Sequence, residues 1–384
     1  MSQAGAPADG CPANDPSARP APERAGDGAF LIGALAPLSR PGWTEAGRHL
    51  LAGLELGVDD VNRAGGVEGR PLELVVRDTA GDPRRAATAV EELASQGVTA
   101  LAGEYHSVAA RAAATRAEAL GLPFLCSSAV LDALTDAETE LVARIAPAQS
   151  HGWTIYADYL LDAGHRHVAL AVGPGPYWSS GARILQCRLE QAGGGIVRLD
   201  ASAMAPPAIR DALVRSGATA LLLLVGMPDP AVAIVGAVRR DPRLAHILLG
   251  APAGQPEFGD WLELLFADGA GVPFLRYLPD RLGSSGLQVE AALRERLNEA
   301  PSFVAFEGHD TIVALGDMLL NREARTGRMD EPWSPVSVEG SRGRIVLGRA
   351  TGISVRQWTW APVQVVDRDP ADPSRLRILR PETR

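Results

Sequence analysis

Residues 32–83 read IGALAPLSRPGWTEAGRHLLAGLELGVDDVNRAGGVEGRPLELVVRDTAGDP, and their order decides the fold. The run from Phe30 to Leu35 is apolar, short and followed by Pro37, which fits a buried strand. From Glu45 to Arg63, Leu50, Leu54, Val58 and Val61 recur at helical spacing, and Gly65-Gly66 ends the helix. Leu72 to Arg77 is a second strand. Asp82-Pro83 then opens a second helix, with Asp as cap and Pro at the first helical position.

The same alternation continues outward. The second helix runs to Gln96 and stops at Gly97. Val98 to Ala102 is a strand, Ser107 to Leu120 a helix, and Leu122 to Cys126 a strand. A second series starts near Gln149, with strands at His167–Val172, Ile196–Leu199, Ala218–Val225 and His246–Leu249 and helices between them. Past Pro279 come two helices, Leu287–Asn298 and Phe303–Arg322, then a loop at Glu331–Ser337 and β-like segments. Strands alternating with helices of this length form βαβ units and parallel sheets. Two series predict an α/β protein of two doubly wound parallel-sheet lobes. Ligands of such sheets bind beyond the carboxyl ends of the strands. That singles out the loops 36–44, 103–107, 126–130, 173–179, 226–229 and 250–257.

The 384 residues suffice for two domain cores. A net charge of −9 with no basic patch excludes nucleic acid as a partner class. The three cysteines, Cys11, Cys126 and Cys187, match no zinc spacing, and the last two read as buried free thiols. Residues 1–28 read as a disordered tail without the apolar core of a signal peptide, so the chain as written is cytoplasmic. Gly10-Cys11 before a Pro/Ala/Asp stretch also looks like the start of a mature lipoprotein. If the start is incomplete and Cys11 is lipidated, the protein is extracytoplasmic. Residues 367–384 read as a polar tail. GPGPYWSSG at 173–181 lacks both the G-x-G-x-x-G spacing and the phosphate-loop lysine, and no G-x-S-x-G or Cys/His nucleophile pattern occurs. No catalytic residue, metal or cofactor is expected.

Residues 32–83 also resemble the opening of the leucine/isoleucine/valine-type solute-binding proteins of ABC transporters. The matching features are G-A-x-x-P, the helix ending D-x-N-x-x-G-G-V-x-G, and D-x-x-x-D-P. VEELASQGVTALAGEYHSVAA and LPFLCSSAVLDALT continue the match, and EGSRGRIVL at 339–347 resembles the family's late return to the sheet. The resemblance implies lobes joined by three crossovers, one lobe from 29–146 and 278–345, the other from 147–277 and 346–366. It implies that Ser107 binds a ligand carboxylate, helped by the loop of Ser128 and Val130. Ser107 is independently a candidate helix cap, where free N–H groups favour an anion. Trp178 and Trp43 fall where the family has aromatic walls, Tyr105 and His106 precede Ser107, and Met227 matches a position often aromatic.

One departure bears on the ligand. The family's amino-acid binders place a glutamate for the ligand ammonium after the strand ending at Leu249, where this chain has Pro252 or Ala253. A plain aliphatic α-amino acid would therefore need Glu104, Glu257 or Asp310 as a substitute, because an unpaired buried ammonium costs several kcal/mol. The expected ligand is a small, partly apolar acid, amide or amino-acid derivative without a free α-ammonium, such as an aromatic carboxylate. The expected function is a small-molecule binding protein, monomeric or weakly dimeric, serving an ABC permease. A cytosolic sensor of the same fold and a recruited biosynthetic enzyme stay open as alternatives.

Overall fold

In the computed structural model, which describes residues 28–324, 332–333 and 335–381, the opening stretch forms β1 (Phe30–Ala36), α1 (Thr44–Arg63), β2 (Leu72–Asp78) and α2 (Pro83–Ser95). The helix-start signature holds, since Asp82 accepts a hydrogen bond from the Arg85 backbone N–H at 2.8 Å and Pro83 opens the helix. β3 (Ala100–Gly103), α3 (Ser107–Ala119), β4 (Phe124–Cys126) and β5 (Val142–Arg144) follow. Strands β2, β1, β3, β4 and β5 lie side by side and parallel. Side chains alternate across this sheet, as the two-residue strand period requires. Ile32 and Ala34 join the core under α1, while Leu35 joins the core under α2 and α3.

The second lobe holds α4 (Gln149–Asp162), β6 (His167–Val172), α5 (Pro176–Gln191), β7 (Gly195–Asp200), α6 (Pro206–Ser216), β8 (Ala220–Leu224), α7 (Ala231–Arg239), β9 (Leu248–Gly250), α8 (Gly259–Leu265) and β10 (Phe274–Arg276). Its sheet is parallel in the order β7-β6-β8-β9. The chain returns to the first lobe for α9 (Ser284–Leu297), α10 (Phe303–Ala324), β11 (Ser337–Gly340), β12 (Gly343–Arg349) and β13 (Arg356–Trp358). It ends with β14 (Gln364–Asp369) and β15 (Asp372–Arg380), which pair antiparallel with β10. Three crossovers join the lobes: β5 to α4, β10 to α9, and β13 to β14.

Three expectations need correction. The stretch 346–358 stays with the first sheet, because β13 pairs parallel with β5 and antiparallel with β12, so the last crossover comes after Trp358. Residues 372–380 of the expected polar tail form β15, held to β14 by ladder bonds and by the Arg377–Asp367 ion pair at 2.6 Å. Cys126 is buried as expected, but Cys187 lies exposed on α5. Residues 1–27, including Cys11, lie outside the described residues. No helix among the described residues is long and apolar enough to cross a membrane.

Close packing of α1 on α10 fixes the base of the first lobe. A Cβ at Gly53 would sit 1.9 Å from the Ala305 carbonyl oxygen, and one at Gly308 would sit 2.4 Å from that of Leu50. Glycine at these points lets the two helix backbones touch, and side chains there would force them apart.

Candidate functional site

A cavity of about 340 Å³ opens between the lobes, lined at the carboxyl ends of the strands of both sheets. All six loops singled out from the strand order contribute to it. All eight candidate residues line it: Trp43, Tyr105, His106, Ser107, Ser128 and Val130 from the first lobe, Trp178 and Met227 from the second.

Their placement follows from a few polar residues, half-buried or buried. Asp78 accepts from the backbone N–H of Leu38 at 2.8 Å and of Ser39 at 3.2 Å, which pins the loop after β1. His106 Nε2 accepts from the Trp43 backbone N–H at 3.0 Å and so sets the indole at the cavity wall. Burial pushes the His106 pKa down to about 4, so the ring stays neutral and can accept. His106 therefore borders the cavity but works as a support for Trp43. Glu104 is fully buried and accepts from the backbone N–H of Tyr105 at 2.9 Å and of His106 at 2.8 Å, and from the Thr79 hydroxyl.

Ser107 departs in detail from its expected role. His106 occupies the cap position, without a side-chain bond, and Ser107 is the first helical residue. The start of α3 thus keeps its N–H groups uncapped by any side chain. Ser107 is 8 % exposed, and among the described residues its hydroxyl accepts only a long bond of 3.4 Å from the Leu131 N–H. The Ser128 hydroxyl is buried and closes no full hydrogen bond, though it lies near enough to Glu307 to favour that carboxylate's charge. Two underused hydroxyls and an open helix start make a cradle of donors suited to a carboxylate.

The remaining walls are aromatic. Trp43 packs on Phe258 of the second lobe with centroids 4.6 Å apart and meets Tyr105 edge-on at 6.0 Å. Tyr177 and Trp178 pack at 4.7 Å, and Tyr277 and Phe303 at 5.0 Å. Burial raises the pKa of Tyr105, Tyr177 and Tyr277, so these phenols stay protonated.

None of the three carboxylates that might replace the missing glutamate is free. Glu104 is occupied as described. Glu257 pairs with Arg276 at 3.0 Å and accepts from the Phe303 N–H at 3.1 Å. Asp310 is bound to Arg342 at 2.7 Å and to Ser341. Asp260 borders the cavity but is solvent-exposed. Instead, the loop after β9 presents Gln255, which is 1 % exposed. Sequence reasoning marked this loop but searched it for a carboxylate, and so passed over Gln255. Tyr177, Tyr277 and Phe303 were also missed; Tyr277 stands directly after β10, a strand the sequence reading did not mark, and Phe303 opens α10, away from the strand-end loops.

Outside the cavity, Glu45, His49 and Glu299 converge closely enough to hold a metal ion. The hydrogen bonds argue against one. His49 Nδ1 accepts from the Ser302 N–H at 3.0 Å, which leaves the proton on Nε2, where it is donated to Glu299 at 2.9 Å. Glu45 is also engaged, accepting from the Gly259 N–H at 2.7 Å.

A family model described as periplasmic binding protein matches residues 30–327. The chain belongs to this family of solute-binding proteins. It is 33 % identical over 116 residues to a Leu/Ile/Val-binding protein homolog of Brucella melitensis, covering 30 % of this chain and 29 % of that protein. The chain therefore matches under a third of that relative's length. Solved structures of the same fold include a branched-chain amino acid substrate-binding protein of Streptococcus pneumoniae in complex with isoleucine (TM-score 0.76, 19 % identity, 92 % of this chain and 100 % of that one). Another is a solute-binding protein of R. palustris in complex with 4-hydroxybenzoate (TM-score 0.75, 17 % identity, 92 % of this chain and 96 % of that one).

Proposed function

We propose that this protein is the solute-capturing subunit of an ABC importer, and that its ligand is a small, partly apolar carboxylate without a free α-ammonium, with aromatic acids as the leading class. The observation that carries the reading is the asymmetry of the cavity. Donors gather at the α3 end, aromatic rings form the sides, and Glu104, Glu257 and Asp310 are all engaged; Glu307, buried beside Ser128 with Oε2 unpaired, does not line the cavity. Burying one aromatic ring between such walls contributes about 1.5–3 kcal/mol, and the carboxylate gains charge-assisted hydrogen bonds. An α-ammonium in the same place would be desolvated without a counter-charge. The fold itself takes either class: isoleucine occupies the S. pneumoniae protein and 4-hydroxybenzoate the R. palustris protein. The partner in transport would be an ABC permease that reads the closed form of the two lobes.

A thermal-shift screen of aromatic acids, amides and the proteinogenic amino acids tests this. A ligand at about 100 times its Kd adds about 2.7 kcal/mol to stability. Shifts confined to acids without an α-ammonium are expected. A strong shift with leucine and none with aromatic acids would defeat the reading.

A further inference from the structure

The two ends of the cavity differ in chemistry and belong to different lobes. The first-lobe end offers donors, as described for Ser107 and Ser128. At the second-lobe end stands Gln255, and its amide orientation is fixed by its neighbour. Gln255 Nε2 lies 3.1 Å from the Val225 carbonyl oxygen, which can only accept, so the nitrogen must face it. Oε1 is then left buried with no hydrogen-bond partner. Buried acceptors in native proteins are nearly always paired, with protein, water or ligand, and of the unpaired buried amide oxygens of Gln149, Gln255 and Gln364 only that of Gln255 belongs to a residue lining the cavity, where a solute can supply the donor.

We propose that Gln255 is the specificity-determining residue of this site, its amide oxygen selecting solutes that carry a neutral hydrogen-bond donor, a hydroxyl or an amide N–H, at the end opposite their carboxylate. The inference rests on the function proposed above and narrows it. A neutral oxygen satisfies a phenolic hydroxyl completely, whereas an ammonium keeps most of its desolvation cost. Discrimination comes mainly from the empty case: a solute lacking the donor leaves the buried oxygen unpaired and is rejected for that reason. Because Ser107 and Gln255 sit on different lobes, a solute with both groups ties the lobes together. One without the second group is anchored to the first lobe alone.

Calorimetric titration of the full chain with benzoate, 4-hydroxybenzoate and 4-methoxybenzoate tests this, since the methoxy group fills the same space without donating. The wild type is expected to bind 4-hydroxybenzoate about tenfold or more tightly than either other acid, the value of one well-made hydrogen bond. Gln255→Leu removes the unpaired oxygen and is expected to bind benzoate more tightly than the wild type does and to lose the preference for the hydroxy acid, with circular dichroism confirming the fold. If that variant fails to fold, the wild-type comparison of hydroxy and methoxy acids decides alone. Equal wild-type affinities for the three acids, or an undiminished preference in Gln255→Leu, would overturn the role of Gln255 while leaving the aromatic-acid reading intact. Binding of leucine with none of the three acids bound would overturn that parent reading, and this inference with it.

Discussion

Ser107 combines a legible position with a role the letters alone misplace. The sequence marks it as a helix start next to a presumed ligand. Folding puts His106 in the cap position and turns the Ser107 hydroxyl toward the 126–131 loop and the cavity. The hydroxyl is thereby freed from capping its own helix and is available to a carboxylate. Ser107→Ala is expected to weaken binding of the carboxylate ligand by about 1–3 kcal/mol, read by calorimetry, as for a lost hydrogen bond to a charged group. Unchanged affinity would take Ser107 out of the site. His309 makes a second prediction at this scale. It lies 3.1 Å from Asp60 and 3.5 Å from Asp310. Burial alone would lower its pKa, but the two carboxylates outweigh burial and raise it from 6.5 to about 9. A raised folded-state pKa stabilises the fold fully below about pH 6.5, and that gain is lost as pH climbs through about 9. Denaturant unfolding should therefore show a loss on the order of 3 kcal/mol across this interval that His309→Gln does not show. Parallel pH profiles for the two proteins would contradict the ion-paired histidine. Asp310 is the next residue in sequence, but Asp60 was not foreseeable, because it lies on α1, 249 residues away.

At the scale of elements, α1 and α8 meet across the interlobe boundary through one side chain. Glu45, in the first turn of α1, accepts from the Gly259 N–H at 2.7 Å and the Asp260 N–H at 3.3 Å, so a first-lobe carboxylate caps a second-lobe helix. Glu257 of the second lobe returns the arrangement by accepting from the Phe303 N–H at the start of α10. Carboxylates at helix starts are worth about 0.3–1 kcal/mol each, more when partly buried. These two join lobes that also touch through Phe258, which packs on Trp43, His49, Tyr105 and Phe303. Glu45→Gln removes the charge and is expected to loosen closure. Small-angle scattering at saturating ligand should give a larger radius of gyration than the wild type, and an identical radius would show that the cap does not hold the lobes. Most elements were legible from local signals: Asp82-Pro83 for α2, Gly65-Gly66 after α1, and apolar runs for β6 and β8. β15 was not, because Arg375, Arg377 and Arg380 interleave with Leu376, Ile378 and Leu379 and hide a strand on an exposed edge. Cys187 misled for a related reason: apolar neighbours in sequence do not share its face of α5.

For the whole molecule, the alternation of strands and helices was enough to place the loops that line the interlobe cavity. Parallel strands present their carboxyl ends together, so two sheets in opposed lobes turn six separated loops toward one cavity. The identity of the solute was less legible, since it depends on which buried polar groups remain unpaired after folding. Glu104, Glu257 and Asp310 were equivalent candidates as letters, and only their tertiary partners show that all three are occupied. Gln255 became visible for the opposite reason, through the acceptor it leaves open. The central claim is that a carboxylate without an α-ammonium lies between the lobes, its charged end at the α3 start. A crystal structure of the protein grown with 4-hydroxybenzoate tests it most directly. The account predicts the carboxylate within hydrogen-bond distance of Ser107 and Ser128, with the ring between Trp43 and Trp178. A carboxylate turned to the second lobe, or a cavity that stays empty while leucine cocrystals show density there, would contradict it.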